Sequence, residues 1–277
     1  MNPITFSTLA CPHWSIETII AKASELGYDG IEWRGGPQGH VQPTMSVTQK
    51  ALLRQMSTDA GLFSLAVTAY TSFVSDSVEE RRANVSELKS YAELAVELGA
   101  SYVRTFLGEL PEGKKPDSPL YAKISDCLNI TSEYAESIGV NIAIEPHDNF
   151  ARSSSVTPLV VQNRPHPALR VIWDIGNAFA VGEDPSEGFD LLKNHIAYVQ
   201  VKDGKRRGTD LQLCSLGEGD IPLGRAFDLL ITNGYKGAFS VEWEYAWHPE
   251  LDPPQVALPD ALRTVKTLLS ATQAESA

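Results

Sequence analysis

The chain has 277 residues, 43% of them hydrophobic, with 35 acidic against 23 basic side chains and a formal net charge of -12. That length supports a full buried core, in one large α/β domain or two small ones. The acidic balance argues against nucleic-acid and anionic-membrane partners, and no apolar run reaches membrane-spanning length. Cys11, Cys127 and Cys214 are odd in number, widely spaced and form no CxxC pair. With no basic-then-apolar leader at the N-terminus, unpaired thiols and a cytoplasmic setting are expected.

Strand-like and helix-like stretches alternate along the chain. A strand over ITFSTLA (4–10) precedes a helix over SIETIIAKASELG, with Ser15 placed to cap its start and Gly27 its end. Strands over DGIEWR (29–34) and FSLAVTA (63–69) lead to the longest helix, Glu79 to Ala100, whose stripe is Val85, Leu88, Tyr91, Ala92 and Ala95. SYVRTFL (101–107) is followed by a helix over LYAKISDCLNITSEYAESIG, and VNIAIEP (140–146) by SSSVTPLVVQNR, a helix that Pro158 weakens near its start. LRVIWDI (169–175), IAYVQVK (196–202) and AFSVEWE (238–244) complete eight strands, with helices over LGRAFDLLITNGY and ALPDALRTVKTLLSAT. Only the tail after about Thr272 is expected to fray. ELGYDG, ELGASY, SIGVNI and NGYKGAF repeat one unit, a helix closed by Gly just before a new strand.

Eight such units imply a parallel sheet with right-handed crossovers, and a closed (β/α)8 TIM barrel over 1–277 accommodates them better than an open sheet. No Gly-x-Gly-x-x-Gly follows the first strand, which removes the dinucleotide-binding version. In a TIM barrel the active residues stand at the C-terminal strand ends. Glu145 in NIAIEPHD, Asp174 in RVIWDIGN, Gln200 in AYVQVKD and Glu242 in FSVEWEY each end an apolar run there. One strand-end glutamate is ordinarily an ion pair or a cap; four such groups on consecutive strands point to a shared ion. Adjacent strands are about 4.8 Å apart, so the four can converge. An all-oxygen set suits Mn2+ or Mg2+ over Zn2+, with Co2+ as a further option.

His147 lies two residues beyond Glu145 and is placed to shuttle a proton or hold a substrate hydroxyl. Arg34 and Arg104 are candidates to neutralise substrate oxygens, and Lys202 shares the face of Gln200. Asn177, three residues after Asp174, is a further substrate contact. Trp14, Phe106, Trp173 and Trp247 are candidate sugar-stacking aromatics. Glu244 competes with Glu242 as ligand, but Glu242 stands nearer the strand interior; His248 is peripheral.

GYDGIEWR, IEPHDNF, VIWDIGN, YVQVKD, LGEGDIP and GYKGAFSVEWE resemble the sugar phosphate isomerase/epimerase family, the xylose-isomerase-like TIM barrels. The resemblance spans almost the whole chain. It implies a divalent metal on Glu145, Asp174, Gln200 and Glu242, although many members carry His in place of Gln200. Many also carry His in place of Asn177, and that difference argues against the DNA-repair branch. The chemistry implied is isomerisation or epimerisation of a ketose, keto-polyol or oxidised sugar through an enediolate, with Glu145 and Glu242 as acid and base and His147 assisting. A dehydratase acting on dehydroshikimate-like or inosose-like compounds shares the first step and is the nearest rival. A sugar-binding accessory subunit without turnover is the reading from another class. The substrate, the physiological metal and homo-oligomerisation stay open at this point.

Overall fold

The computed structural model describes residues 2–161, 166–208 and 210–275. Its strands are β1 (Ile4–Ser7), β2 (Gly30–Arg34), β3 (Phe63–Thr68), β4 (Tyr102–Thr105), β5 (Asn141–Ile144), β6 (Leu169–Asp174), β7 (Ile196–Val201), β8 (Asp203–Arg207), β9 (Asp210–Cys214) and β10 (Phe239–Val241). All but β8 and β9 are parallel and close into a barrel in the order β1-β10-β7-β6-β5-β4-β3-β2. The helices are α1 (Ile16–Leu26), α2 (Val47–Asp59), α3 (Val78–Leu98), α4 (Ser118–Ser137), α5 (Ser153–Val160), α6 (Ile175–Ala180), α7 (Pro185–Leu192), α8 (Leu223–Thr232) and α9 (Pro254–Glu275). This is the expected (β/α)8 architecture.

Alternation along each strand divides the chemistry. Trp33, Val103, Ile144, Trp173, Val201 and Val241 belong to the main hydrophobic core, which they share with helical residues such as Leu88, Leu128 and Phe227. The opposite set, including Glu32, Arg34, Arg104, Asp174 and Gln200, is buried too, and Glu32, Arg104, Asp174 and Gln200 find their partners inside the barrel. A closed parallel sheet normally buries apolar residues on both faces. A buried polar inner set must be satisfied within itself or by a ligand. Register shifts between Ile31 and Glu32 on β2 and between Val171 and Ile172 on β6 re-aim the two strands that deliver Glu32 and Asp174.

The turn and cap chemistry follows the expected pattern. Ser15 Oγ accepts from Thr18 N at 3.3 Å, and Gly27 and Gly99 close α1 and α3 with φ of 87° and 70°. The strands are shorter than expected, so Glu145 and Glu242 stand one residue beyond β5 and β10. The helix expected over SSSVTPLVVQNR is α5, with Pro158 inside it; Gln162, Asn163 and Arg164 lie outside the described residues. The tail expected to fray continues α9 to Glu275.

Three further elements had no sequence expectation. Helix α2 buries only Lys50, Leu53 and Ser57, too little apolar surface to form a stripe, and instead carries a capping box between Ser46 and Gln49. The β6–β7 crossover is split into α6 and α7. After β7 the chain makes the antiparallel hairpin of β8 and β9. Asp203, the first residue of β8, fastens that hairpin at its base. Its Oδ1 accepts from the backbone N–H of Gly204 (2.8 Å) and Ile221 (3.4 Å), and its Oδ2 from Gly217 (2.8 Å) and Gly219 (3.1 Å).

Candidate metal centre and active site

Strands β5, β6 and β10 bring Glu145, Asp174 and Glu242 together at the C-terminal mouth of the barrel. One carboxylate oxygen from each lies within 4.8 Å of the others, and all three residues are buried. Gln200, whose Cα is in register with Asp174 on one side and Ser240 on the other, reaches the same place from β7. Its Nε2 donates to Glu242 Oε1 at 3.2 Å and to Glu32 Oε1 at 3.1 Å. Its Oε1 is buried with no hydrogen-bond partner among the described residues, as is Asp174 Oδ2.

Two cations sit among these acids. Lys202 Nζ lies 2.9 Å from Asp174 Oδ2, an ion pair without hydrogen-bond geometry, 2.8 Å from Glu242 Oε2 and 2.9 Å from Glu244 Oε1. A Cβ on Gly176 would come within 2.6 Å of the Lys202 stem, so the glycine after Asp174 makes room for it. Arg104 Nε donates to Glu145 Oε2, while Asn177 Nδ2 donates to Glu145 Oε1 at 3.3 Å. Asn177 N caps onto Asp174 Oδ1 at 2.9 Å, so one residue orients two of the acids.

Burial pushes Asp174 up to about 7, with the charges of Glu242 and Glu145 adding to the rise and Lys202 opposing it. Burial acts the same way on Glu242, but Lys202 and Arg104 outweigh it and hold that carboxyl below its usual range. Burial works against the Lys202 ammonium, yet the surrounding carboxylates raise it well above an ordinary lysine. The centre is therefore acidic overall and partly neutralised by its own lysine.

The residue that sequence reasoning missed is Glu32. It is fully buried inside the barrel and accepts from Tyr198 OH at 2.7 Å, Ser240 Oγ at 2.6 Å and Gln200 Nε2. Burial, then the charge of Glu242, raises it to about 7 against the lowering effect of those donors. It shares the Gln200 amide nitrogen with Glu242, and the amide oxygen is left without a partner among the described residues. The sequence signal was a glutamate standing between Ile31 and Trp33 in the middle of the strand DGIEWR.

The other candidates ring the mouth. His147 is half-exposed, packs on the Phe106 ring at 4.6 Å and has Nδ1 2.9 Å from Asp148 Oδ1. The Arg104 guanidinium lies over Phe106 at 3.7 Å and over Tyr70 at 5.3 Å. Arg34 lies over the Trp247 ring at 4.3 Å. Trp173 is not in this wall: it faces the outer core and packs against Phe189. Trp14 is partly buried against the same core. Glu244 stays outside the acidic trio and holds Lys202, and His248 pairs with Glu250 at 3.1 Å.

The donors present fit a divalent cation. Three carboxylates within reach of one point, with the buried and unpartnered amide oxygen of Gln200 close by, supply a hard oxygen donor set. The sequence profile of the xylose isomerase-like TIM barrel family matches residues 20–268. The chain belongs to that family. It is 25% identical over 267 residues to a fructoselysine 3-epimerase of Escherichia coli O157:H7, covering 92% of this chain and 94% of that one. A 3-dehydroshikimate dehydratase of Pseudomonas putida is 23% identical over 198 residues, 69% of this chain but 31% of that one. Among solved structures, the IOLI protein with a bound zinc atom superposes with a TM-score of 0.81 at 21% identity, covering 98% and 99% of the two chains. Its relatives are thus sugar epimerases and a dehydratase on one barrel fold.

Proposed function

We propose that this chain is a divalent-metal-dependent isomerase or epimerase of a ketose, keto-polyol or oxidised sugar. The observation that carries it is the convergence of Glu145, Asp174 and Glu242 within 4.8 Å at the strand ends, with Gln200 Oε1 unpartnered among them. Mn2+ is the cation the donor set suits best, with Mg2+ and Co2+ as substitutes. Bound there, it supplies Lewis-acid polarisation of a sugar carbonyl, which acidifies the neighbouring C–H.

The chain's own groups do the rest. Of Glu145 and Glu242, one takes the proton from that carbon and the other returns one, each held by the cation beside it: Glu145 by Arg104, Glu242 by Lys202. His147 on its Phe106 shelf and Asn177 position hydroxyls, and Arg104 and Lys202 balance the negative charge that develops on oxygen. Phe106, Tyr70 and Trp247 limit water at the mouth. The three free thiols support a reducing, cytoplasmic setting, and no helix among the described residues is long and apolar enough to cross a membrane.

The dehydratase relative supports a second outcome of the same first step: loss of a hydroxyl β to the carbonyl. Incubating Mn2+-loaded protein with a keto-sugar panel in D2O tests both. Deuterium gain without other mass change marks an isomerase or epimerase, and loss of water marks a lyase. Neither signal on any substrate removes the proposal.

A further inference from the structure

The cations of the barrel mouth are not equally satisfied. Arg104 pairs with Glu145, and Lys202 with Asp174, Glu242 and Glu244. Arg34 is only 4% exposed, yet among the described residues its guanidinium has no carboxylate partner and no hydrogen-bond acceptor. The ring of Trp247 covers it. His40 nearby is held below the usual histidine range, by burial first and by the charge of Arg34 in addition. A buried guanidinium without an anion is costly, and a structure retains one where a ligand supplies the counter-charge.

Arg34 opens onto a cavity of about 230 Å3, bounded also by Gly35, Gly36, Pro37, Tyr70 and Trp247. The backbone donors there are already committed: Gly35 N to Thr68 Oγ1 at 3.0 Å and Gly36 N to Tyr91 OH at 2.8 Å. No lysine and no second arginine lines the cavity. One planar fork matches a carboxylate, whereas a phosphate dianion is usually gathered by several donors. Two of the residues around the cavity lead toward the acidic centre. Arg34 follows Glu32 by two residues on the same strand face, about 6.6 Å further toward the mouth, and Glu32 holds Gln200. Tyr70, the far wall, also packs on Arg104.

We propose that Arg34, walled by Trp247 and Tyr70, is a carboxylate subsite, and that the keto-sugar handled here carries a carboxylate at the end remote from the carbons between Glu145 and Glu242. The substrate class is then a keto-uronate or related sugar acid. This rests on the isomerase reading of the mouth and adds the identity of the substrate's distal group.

Matched pairs test it: fructose with fructuronate, and likewise for the tagatose, sorbose and psicose stereochemistries, titrated calorimetrically into Mn2+-loaded protein. In at least one pair the uronate binds about 10- to 100-fold tighter than its neutral partner, the size of a charged hydrogen-bonded pair. That advantage falls to near unity in Arg34→Gln, with thermal unfolding checking that the variant is folded. Equal binding within every pair, or an advantage that survives Arg34→Gln, overturns the subsite. If Arg34→Gln does not fold, the wild-type pairs decide alone. Deuterium exchange on neutral ketoses with no uronate advantage defeats the subsite and leaves the isomerase reading standing. Arg34-dependent uronate binding without exchange on any compound does the reverse.

Discussion

The two halves of the barrel mouth handle charge in opposite ways. On the β5–β10 side three acids and a lysine crowd together, and each cation touches at least one anion. On the β1–β3 side the guanidinium of a buried arginine meets, among the described residues, an aromatic ring and a cavity but no anion. The first half pairs each of its cations and still carries an excess of carboxylates, so it can offer oxygens to a metal ion. The second half is unbalanced and waits for an anion. In the function proposed above, the first half is the reacting end of the mouth and the second its recognition end.

The comparison breaks most sharply at the reacting end. Glu145→Gln and Glu242→Gln should each lower solvent deuterium exchange by about 1000-fold, within the range of lost acid–base catalysis; a variant keeping a tenth of the wild-type rate removes that glutamate from the mechanism. Lys202→Met leaves Asp174 and Glu242 buried beside one another with no ammonium. Urea unfolding should show a loss of about 3–5 kcal/mol, the cost of removing one partner of a buried ion pair, and Mn2+ should recover much of it. No recovery with metal would mean that the acids are a structural ion-pair network only.

Glu32 gives a pH signature of intermediate size. Its carboxyl titrates at about 7 in the fold against 4.5 ordinarily. Between those values the unfolded chain has lost the proton that the folded chain still holds, so stability is full below 4.5 and is lost as pH rises through about 7. The span is at most about 3 kcal/mol. Unfolding of metal-free protein across that range should show the decline, and Glu32→Gln should flatten it. The smallest effect belongs to the recognition end: Trp247 is 50% exposed, so Trp247→Ala should change stability by less than about 1 kcal/mol, as expected for one exposed cation–π contact. A larger loss in thermal unfolding would make that wall part of the core.

Much of the reacting end was legible in the sequence, because Glu145, Asp174 and Glu242 interrupt aliphatic runs where a barrel strand must stop. The order of the strands followed from the Gly-closed helices before them. Glu32 was not legible: it sits inside a strand, and its partners Tyr198 and Ser240 come from 166 and 208 residues away. Neither was the imbalance at Arg34, since a lone strand-end arginine acquires a partner or fails to only when eight strands close. Helix α2 escaped because its buried face offers one leucine between a lysine and a serine. The hairpin of β8 and β9 escaped because DGKRRGTDLQLC is polar and short, and its anchors, Asp203 at the base and Arg206 on the Phe179 and Ala180 carbonyls, are long-range contacts.

That carboxylate has a consequence for how the molecule tolerates change. Four amide hydrogens tie Asp203 to both the start of the hairpin and the loop after it. That knot fixes the base of the hairpin beside Lys202, while Arg206 further along ties β8 to the carbonyls of Phe179 and Ala180. Insertions beyond Arg206 should therefore be tolerated better than replacement of Asp203, whose loss would free four amide hydrogens at once.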